Sequence, residues 1–242
     1  MSEHAEKSED ETNGDETAED ATAENATVED ASNENESDES ITVYSDYVCP
    51  FCYLGRESLS RYQDEREEPL RIDWHPFDLQ AGKRGPDGEI DPDADDGKDD
   101  DYYEQARENV AQLAERYDVD MAMDLATDVD SLPAQVASFR VQETESYDQW
   151  LAFDVAVFEA LWQDGRDIGD PAVLADLAED VGLDPESVRA AVDDPEARAA
   201  VEERFDAARR QGVTGVPTFV YEGYAARGAV PPEHLERLVD GA

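Results

Sequence analysis

The two cysteines constrain this chain more than any other feature, because they stand three positions apart in the segment Cys-Pro-Phe-Cys at residues 49–52. Residues 41–45, just before it, alternate and are rich in β-branched side chains, a pattern typical of a strand. Apolar and small side chains then recur at helical spacing from about residue 50 to 66. Pro50 suits a first helical turn, where its missing N–H needs no partner. The sequence therefore predicts two thiols where a strand ends and a helix begins.

A thiol at the start of a helix has distinctive chemistry. Unpaired backbone N–H groups and the helix dipole stabilise a thiolate at Cys49, and the thiolate is the attacking species in thiol–disulfide exchange. Cys52 lies one turn deeper and can close a disulfide with Cys49. The spacing therefore predicts a redox-active pair.

Two alternative roles for the cysteine pair stay open. The cysteines could simply pack in a core, although that role does not need this spacing at a strand–helix junction. They could also supply half of a zinc site, which requires two further ligands. For those ligands the chain offers no second cysteine pair and three histidines, namely His4, His75 and His234. We therefore expect neither a metal nor another bound cofactor.

The rest of the chain predicts strands near its two ends and helices between them. Residues 70–77 alternate and complete a β-α-β unit, whereas residues 81–100 are rich in Gly, Pro and Asp and predict an acidic loop. Apolar stripes and three Asp-Pro pairs, each a capping acid before a proline, predict helices. These helices span about residues 103–117, 132–147, 151–162, 171–181, 185–192 and 195–211. Two strands and a last helix follow at about residues 218–221, 224–227 and 231–240.

A second signal lies far from the cysteines, where residues 212–219 read Gly-Val-Thr-Gly-Val-Pro-Thr-Phe. A proline directly before a strand, preceded by Thr-Gly-Val, resembles the cis-proline loop of the thioredoxin superfamily. In that fold the loop lies beside the active-site disulfide. An X-Pro bond tolerates the cis form at little cost, so proline permits this shape. The alternative is an ordinary trans proline that opens a strand.

Four segments together resemble the DsbA family of thioredoxin-fold oxidoreductases, and most closely its FrnE-like branch: residues 47–55, 74–79, 212–219 and 228–232. The resemblance covers residues 41–242. It implies an α/β thioredoxin fold, β-α-β … β-β-α, with a large all-helical insertion. The two thioredoxin-fold halves would then span residues 41–80 and 212–242, and the acidic loop with the inserted helical subdomain would span residues 81–211.

The resemblance also implies roles for single residues. Cys49 resembles the exposed attacking cysteine, and Cys52 resembles the buried resolving cysteine. Val216 and Pro217 resemble the cis-proline pair whose backbone meets the substrate chain, while Pro50 and Phe51 complete the active-site loop. Strongly oxidising DsbA enzymes have His where Phe51 stands, and FrnE-like proteins usually have Trp. A phenyl ring offers a thiolate neither a hydrogen bond nor a charge, which puts a strongly oxidising potential in doubt.

Two polar residues near the pair have two interpretations each. Asp46 could relay a proton to or from Cys52, as buried acids do in related folds, but a solvated turn or a helix cap is the favoured role in so acidic a chain. His75 could reach the site, although a structural, hydrogen-bonded histidine is favoured.

Charge excludes some classes of partner. The chain has 64 acidic and 19 basic residues, a formal net charge of −45, and its lysines are Lys7, Lys83 and Lys98. Neither nucleic acid nor an anionic membrane suits such a surface. The composition resembles that of cytoplasmic proteins from extreme halophiles, so we expect the fold to need about molar salt to screen its self-repulsion. Residues 1–40 predict a disordered acidic tail without the apolar stretch of a secretory signal, which favours the cytoplasm.

The sequence thus predicts a thiol–disulfide oxidoreductase or isomerase that acts on protein or small-molecule disulfides and dithiols. A cytoplasmic location favours reduction or isomerisation, since cytosolic disulfides are usually transient. One rival is a glutathione transferase of the kappa class or a 2-hydroxychromene-2-carboxylate isomerase, enzymes that use Ser at the position of Cys49. Another is a non-enzymatic, chaperone-like module that binds peptides under the helical roof. The sequence predicts no oligomeric state.

Overall fold

The computed structural model describes residues 39–241 except 86–87, 92–93, 95–96, 123–125 and 127. The predicted tail, residues 1–40, lies outside the described residues apart from its last two. Ser40 already belongs to the first strand, one residue earlier than the alternation indicated. No helix among the described residues is long and apolar enough to cross a membrane.

Four strands form one mixed sheet in the order β2-β1-β3-β4. They are β1 (Ser40–Ser45), β2 (Arg71–Pro76), β3 (Thr218–Tyr221) and β4 (Tyr224–Arg227). β1 runs parallel to β2 and antiparallel to β3, and β3 runs antiparallel to β4. In the β1–β3 pairing Tyr44 faces Thr218, so the end of β1 lies beside the start of β3. The sheet therefore brings the cysteine segment, which follows β1, and the proline segment, which precedes β3, to the same end of the two central strands.

Eight α-helices accompany the sheet in the described chain. They are α1 (Pro50–Asp64), α2 (Asp100–Tyr117), α3 (Leu132–Thr144), α4 (Tyr147–Trp162), α5 (Pro171–Asp180), α6 (Pro185–Val192), α7 (Pro195–Arg210) and α8 (Pro232–Val239). The α/β thioredoxin fold and its element order are confirmed. A short 3₁₀ helix, Ala81–Lys83, lies inside the segment predicted to be a loop.

One predicted helix boundary is wrong. The pattern at residues 132–147 indicated a single helix, but α3 ends at Thr144 and α4 begins at Tyr147. The side chain of Ser146 accepts a hydrogen bond from the backbone N–H of Gln149 at 3.3 Å and so caps the start of α4. A serine cap that satisfies an otherwise unpaired N–H stabilises a new helix start at this point.

The three Asp-Pro helix starts are confirmed. The carboxylates of Asp170, Asp184 and Asp194 each accept a hydrogen bond from the backbone N–H two residues later, at 2.8, 3.1 and 2.9 Å. Such a cap contributes about 1 kcal/mol to helix stability, and the following proline leaves no unpaired donor at the first position.

The inserted helices pack behind the cysteine segment through aromatic side chains. Trp150, Phe153, Phe158 and Trp162 of α4 are almost fully buried, so they belong to the core. The indole N–H of Trp162 donates to the carbonyl of Tyr47 at 2.8 Å, and the ring of Tyr47 lies 4.7 Å from that of Phe158. These contacts fix the backbone just before Cys49 against the insertion.

Candidate active site

The cysteine segment is the start of α1. Cys49 is the N-cap residue, with extended backbone angles, and no side-chain oxygen caps the helix there. The carbonyl of Cys49 accepts the N–H of Cys52 at 2.9 Å, and the N–H of Cys49 donates to the carbonyl of Asp46 at 3.1 Å. The two cysteines lie 3.5 Å apart as free thiols. The predicted placement of both thiols in the first turn of a helix is confirmed.

The two thiols face different surroundings. Cys49 lines a surface groove of about 440 Å³, whereas Cys52 lines a small internal pocket against the core. Burial raises the pKa of the Cys52 thiol well above its usual range, and the hydrogen bond with Cys49 adds to this effect. Cys52 is therefore held as a protonated thiol beneath its partner.

Cys49 is less exposed than the family resemblance implied. Its exposed fraction is 3%, close to the 2% of Cys52, so the expectation of an exposed cysteine is wrong for this conformation. The reason is the loop before β3, because the thiol of Cys49 lies 3.6 Å from the carbonyl oxygen of Val216 and donates to it. What distinguishes the two cysteines is the direction each faces rather than its exposed area.

The proline loop takes the predicted form. The Val216–Pro217 peptide bond is cis, and Val216 lines the groove beside Cys49. Thr218 donates through its hydroxyl to the carbonyl of Gly215 at 2.8 Å, which fixes the turn. Pro217 is buried against α1, where a Cβ placed on Gly55 would lie 2.9 Å from its Cγ atom. Gly55 is thus a residue of the site whose role the sequence did not indicate.

Asp46 is fully buried, and the N-cap of α1 is Cys49, so its favoured interpretation as a solvated turn residue or a helix cap is wrong. Its carboxylate accepts hydrogen bonds from the backbone N–H of Leu79 at 2.8 Å and from that of Val48 at 3.3 Å. Burial raises the pKa of Asp46 to about 7, and the negative charge of Asp78 adds to the rise. An acid buried beside Cys52 can therefore exchange a proton near neutral pH, and its charge in turn raises the pKa of that thiol.

A buried polar network lies on the inner side of the pair. Arg56 and Asp154 form an ion pair at 3.0 Å, with side chains 12% and 2% exposed. The hydroxyl of Tyr47 lies 3.0 Å from the same carboxylate and 2.7 Å from the hydroxyl of Ser138. Both ion-pair partners line the internal pocket of Cys52. Sequence reasoning missed this network, because its members come from α1, α3 and α4 and from the segment before α1.

The remaining residues singled out from the sequence are His75, Pro50 and Phe51. His75 bonds to the carboxylate of Asp73 at 3.0 Å, and its ring contacts that of Tyr44 at a tilt of 37°, with ring centroids 5.1 Å apart. It is not among the described residues that line the groove. Pro50 is buried at the first position of α1, and Phe51 is partly buried at the groove.

The fold and its thiol pair define a thioredoxin-fold protein with a helical insertion. Residues 40–240 match the family described as the DSBA-like thioredoxin domain, and the chain belongs to that family. It is 28% identical to the uncharacterised protein YwbO of Bacillus subtilis strain 168 over 204 residues, which cover 82% of this chain and 94% of that protein.

Two solved structures illustrate the range of activities found on this fold. A probable DsbA oxidoreductase from Streptomyces coelicolor has a TM-score of 0.69 and 22% identity, covering 84% of this chain and 88% of that one. A 2-hydroxychromene-2-carboxylate isomerase has a TM-score of 0.66 and 20% identity, covering 81% and 92%. At these identities the likeness establishes the fold, and the activity has to be argued from the site.

Proposed function

We propose that the protein is a thiol–disulfide oxidoreductase whose redox pair is Cys49 and Cys52. The observation that carries this proposal is the arrangement of the two thiols: they lie 3.5 Å apart at the start of α1, one toward a surface groove and one toward the core. An enzyme that only activates glutathione needs a single nucleophile. A second thiol within reach of the first is useful for closing and opening a disulfide.

The proposed reaction has two exchange steps. The thiolate of Cys49 attacks one sulfur of a substrate disulfide, forms a mixed disulfide and releases the other sulfur as a thiolate. Cys52 then loses its proton and attacks the sulfur of Cys49, which releases the second substrate thiol. The substrate has gained two electrons, and the protein holds a disulfide. Run backwards, the same steps oxidise a substrate dithiol.

Asp46 is the proposed acceptor of the Cys52 proton. The second step needs a base, because burial keeps Cys52 protonated. Asp46 is buried near it, and its raised pKa of about 7 allows the carboxylate to take up a proton and release it again near neutral pH. Val216 and Pro217 hold the loop over Cys49, and the backbone of Val216 is the proposed contact for the substrate.

Phe51 bears on the direction of the reaction. A histidine at this position could stabilise the thiolate, and hence the reduced protein, whereas the phenyl ring cannot. We therefore place the potential of the pair toward the reducing end of the family range, with reduction or isomerisation as the physiological direction.

The test is the reduction potential of the Cys49–Cys52 pair, measured in high salt by equilibration with defined thiol buffers and mass spectrometry. Potentials of about −270 mV and about −120 mV mark thioredoxin-like reductants and DsbA-like oxidants. We expect a reversible two-electron couple nearer to the first value. Failure to form a reversible disulfide would overturn the proposal and favour a glutathione-dependent isomerase.

The variant Cys52→Ala separates the two activities. The substitution removes redox cycling. A glutathione-dependent isomerase, which needs only one activated nucleophile, would keep turning over. Retention of full disulfide-reducing turnover by Cys52→Ala would contradict the two-step mechanism.

A further inference from the structure

A largely buried cluster of charged side chains lies next to Asp46 and takes no part in the exchange steps described above. The guanidinium of Arg84 binds the carboxylate of Asp78 at 3.0 Å and that of Asp130 at 2.8 Å. The side chains of Arg84 and Asp78 are 11% and 5% exposed. Removing such charges from water is costly unless each one is paired, so the members of the cluster depend on one another.

The short segment after β2 connects this cluster to Asp46. The backbone N–H of Leu79 donates to the carboxylate of Asp46 at 2.8 Å. The carboxylate of Asp78 accepts the next N–H along the chain, that of Gln80, at 3.0 Å. Two carboxylates therefore bind successive N–H groups of one segment. Because their negative charges repel each other, the charge of Asp78 raises the pKa of Asp46.

The groups that face Asp46 come from three elements. On α1 the thiol of Cys52 forms a hydrogen bond with the backbone of Asp46. Just before α3, the uncharged hydroxyl of Ser131 forms a hydrogen bond with the Asp46 carboxylate and favours its ionised form. After β2 lies Asp78, and among the described residues it is the neighbouring charge with the largest effect on Asp46. Any group that neutralises Asp78 therefore acts on Asp46 as well.

We propose that Asp78 and Arg84 are positioning residues of the proton relay. Their opposed charges set the pH at which Asp46 accepts the proton of Cys52. This inference rests on the proposed function, because it concerns the second exchange step. In that step the proton of the Cys52 thiol passes to the Asp46 carboxylate, and the resulting thiolate attacks the sulfur of Cys49. The bond from Cys49 to the substrate breaks, a disulfide joins the two cysteines, and the substrate sulfur leaves as a thiolate.

The two residues act on the relay in opposite directions. An unpaired Asp78 would disfavour a second negative charge on Asp46, so that the relay would operate only at higher pH. Arg84 offsets that repulsion, and its bond to Asp130 fixes the guanidinium beside Asp78. A cluster with only a structural role predicts something else, because loosening it at either residue would disturb the site in the same way. The sign of each effect therefore distinguishes the two roles.

The experiment measures the second step alone, over a range of pH, with the full chain in high salt. The reduced chain is mixed with an excess of 2-hydroxyethyl disulfide, and the decay of the mixed disulfide on Cys49 is followed by acid quench and mass spectrometry. The rate constant plotted against pH gives an inflection, expected near 7 in wild type. Independently, carboxyl-carbon NMR follows the ionisation of Asp46, whose signal is the one missing from Asp46→Asn.

We expect the inflection to move by about one pH unit, downward in Asp78→Asn and upward in Arg84→Gln. Relative to wild type, release of the substrate thiol should then be about fivefold faster at pH 6 in Asp78→Asn and about fivefold slower at pH 7 in Arg84→Gln. Arg84→Lys keeps the positive charge and should retain most of the wild-type position. Asp78→Asn is expected to fold readily, because Arg84 keeps its bond to Asp130 in that variant.

The matched controls come from the exposed ion pair of Arg166 and Asp176, 3.2 Å apart. Asp176→Asn and Arg166→Gln change the net charge by the same amounts, and both should leave the inflection at its wild-type position. An unchanged inflection in Asp78→Asn, or shifts of the same sign in Asp78→Asn and Arg84→Gln, would overturn the proposal. Equal shifts in the controls would assign the effect to overall charge and overturn it as well.

Failure of the proposed function gives a different result. If the wild-type chain is folded by circular dichroism but never forms a mixed disulfide, or never releases the second thiol, the oxidoreductase itself is refuted. If Asp46 titrates as expected in every variant but the release rate does not follow it, Asp46 is not the proton acceptor. The proposal then falls together with the relay, whereas the thiol pair of the proposed function stands.

Discussion

The two sides of the cysteine pair are built on different principles. The inner side, around Cys52, is closed and mostly apolar, and it contains the Arg56–Asp154 ion pair with the buried Asp46 nearby. The outer side, around Cys49, is an open groove formed by loops and the start of α2. On the proposed function, the difference teaches that the inner side controls proton transfer and stability, while the outer side controls which molecule reaches the sulfur of Cys49. Variants confined to one side should therefore change only the properties that this side controls.

The largest effect should come from the cysteines themselves. Cys49→Ala removes the attacking thiol and should abolish exchange, whereas Cys52→Ala should stop after the first step and accumulate a mixed disulfide. Mass spectrometry of each variant incubated with 2-hydroxyethyl disulfide distinguishes these results. A stable adduct on Cys49→Ala, formed at Cys52, would show that the two sides had been assigned the wrong way round.

Among the predicted effects on the free energy of unfolding, the largest should come from removing one member of the Arg56–Asp154 ion pair. Asp154→Ala leaves the guanidinium of Arg56 buried and unpaired, and the expected loss is about 3–5 kcal/mol in the free energy of unfolding. Urea unfolding at fixed high salt measures it. The matched control is Glu186→Ala, which breaks the exposed pair with Arg189 and should cost less than about 1 kcal/mol. Similar losses for both variants would contradict a buried inner network.

Asp46 should make stability depend on pH in a characteristic direction. Its pKa is about 7 in the folded chain and 3.8 as an ordinary carboxyl, so its contribution favours the fold at low pH and is lost as pH rises through 7. Asp46→Asn removes this loss. Relative to wild type, the variant should therefore gain about 2 kcal/mol more at pH 8.5 than at pH 5.5. A difference that does not change with pH would contradict the raised pKa.

The same variant tests the proton relay by a separate measurement. In wild type the release of the second substrate thiol should accelerate as pH rises through about 7, since Asp46 must be ionised to accept the Cys52 proton. In Asp46→Asn this step should be about 100-fold slower, and the inflection near pH 7 should disappear. The first step, attack by Cys49, is the internal control.

The smallest effect on stability is expected at the contact between Gly55 of α1 and Pro217 of the proline loop. In Gly55→Ala the new methyl group would lie 2.9 Å from Pro217 Cγ, an overpacking that costs about 1–3 kcal/mol. Alanine gains about 1 kcal/mol over glycine within a helix, so the net loss should be about 1 kcal/mol. Thermal unfolding checks this value. Gly82→Ala, where a Cβ meets nothing within 4 Å, should show no such loss.

Local patterns predicted much of this fold because their causes are local. The Asp-Pro caps at Asp170, Asp184 and Asp194 satisfy N–H groups two residues away, so their helices could be placed from sequence. The cysteine spacing likewise placed both thiols in the first turn of α1. The roles assigned to Cys49, Cys52 and the proline loop stay predictions, as do the FrnE-like branch and the dependence on molar salt.

What the sequence did not predict depends on distant partners. Asp46 is buried because Leu79 and Val48 donate to it and the segment after β2 covers it, and composition alone had favoured a solvated residue. Cys49 is covered by a loop that lies 167 residues further along the chain. The convergence of Lys83 and Lys98 on one groove is equally invisible in the sequence, since fifteen positions separate them and only the fold sets both beside the thiol.

The pairing of β1 with β3 has a consequence for the evolution of such proteins. Because the end of β1 lies beside the start of β3, strand pairing itself places the segment that carries the thiols next to the proline loop. Contacts from the inserted helices, such as that of Trp162 with the carbonyl of Tyr47, add to this placement. Outside the residues that make such contacts, the intervening stretch can change in length and sequence while the thiols and the proline loop stay together. On the proposed function, a lineage can therefore acquire new specificities by altering the rest of the insertion and its loops, and inherit the arrangement of the two thiols unchanged.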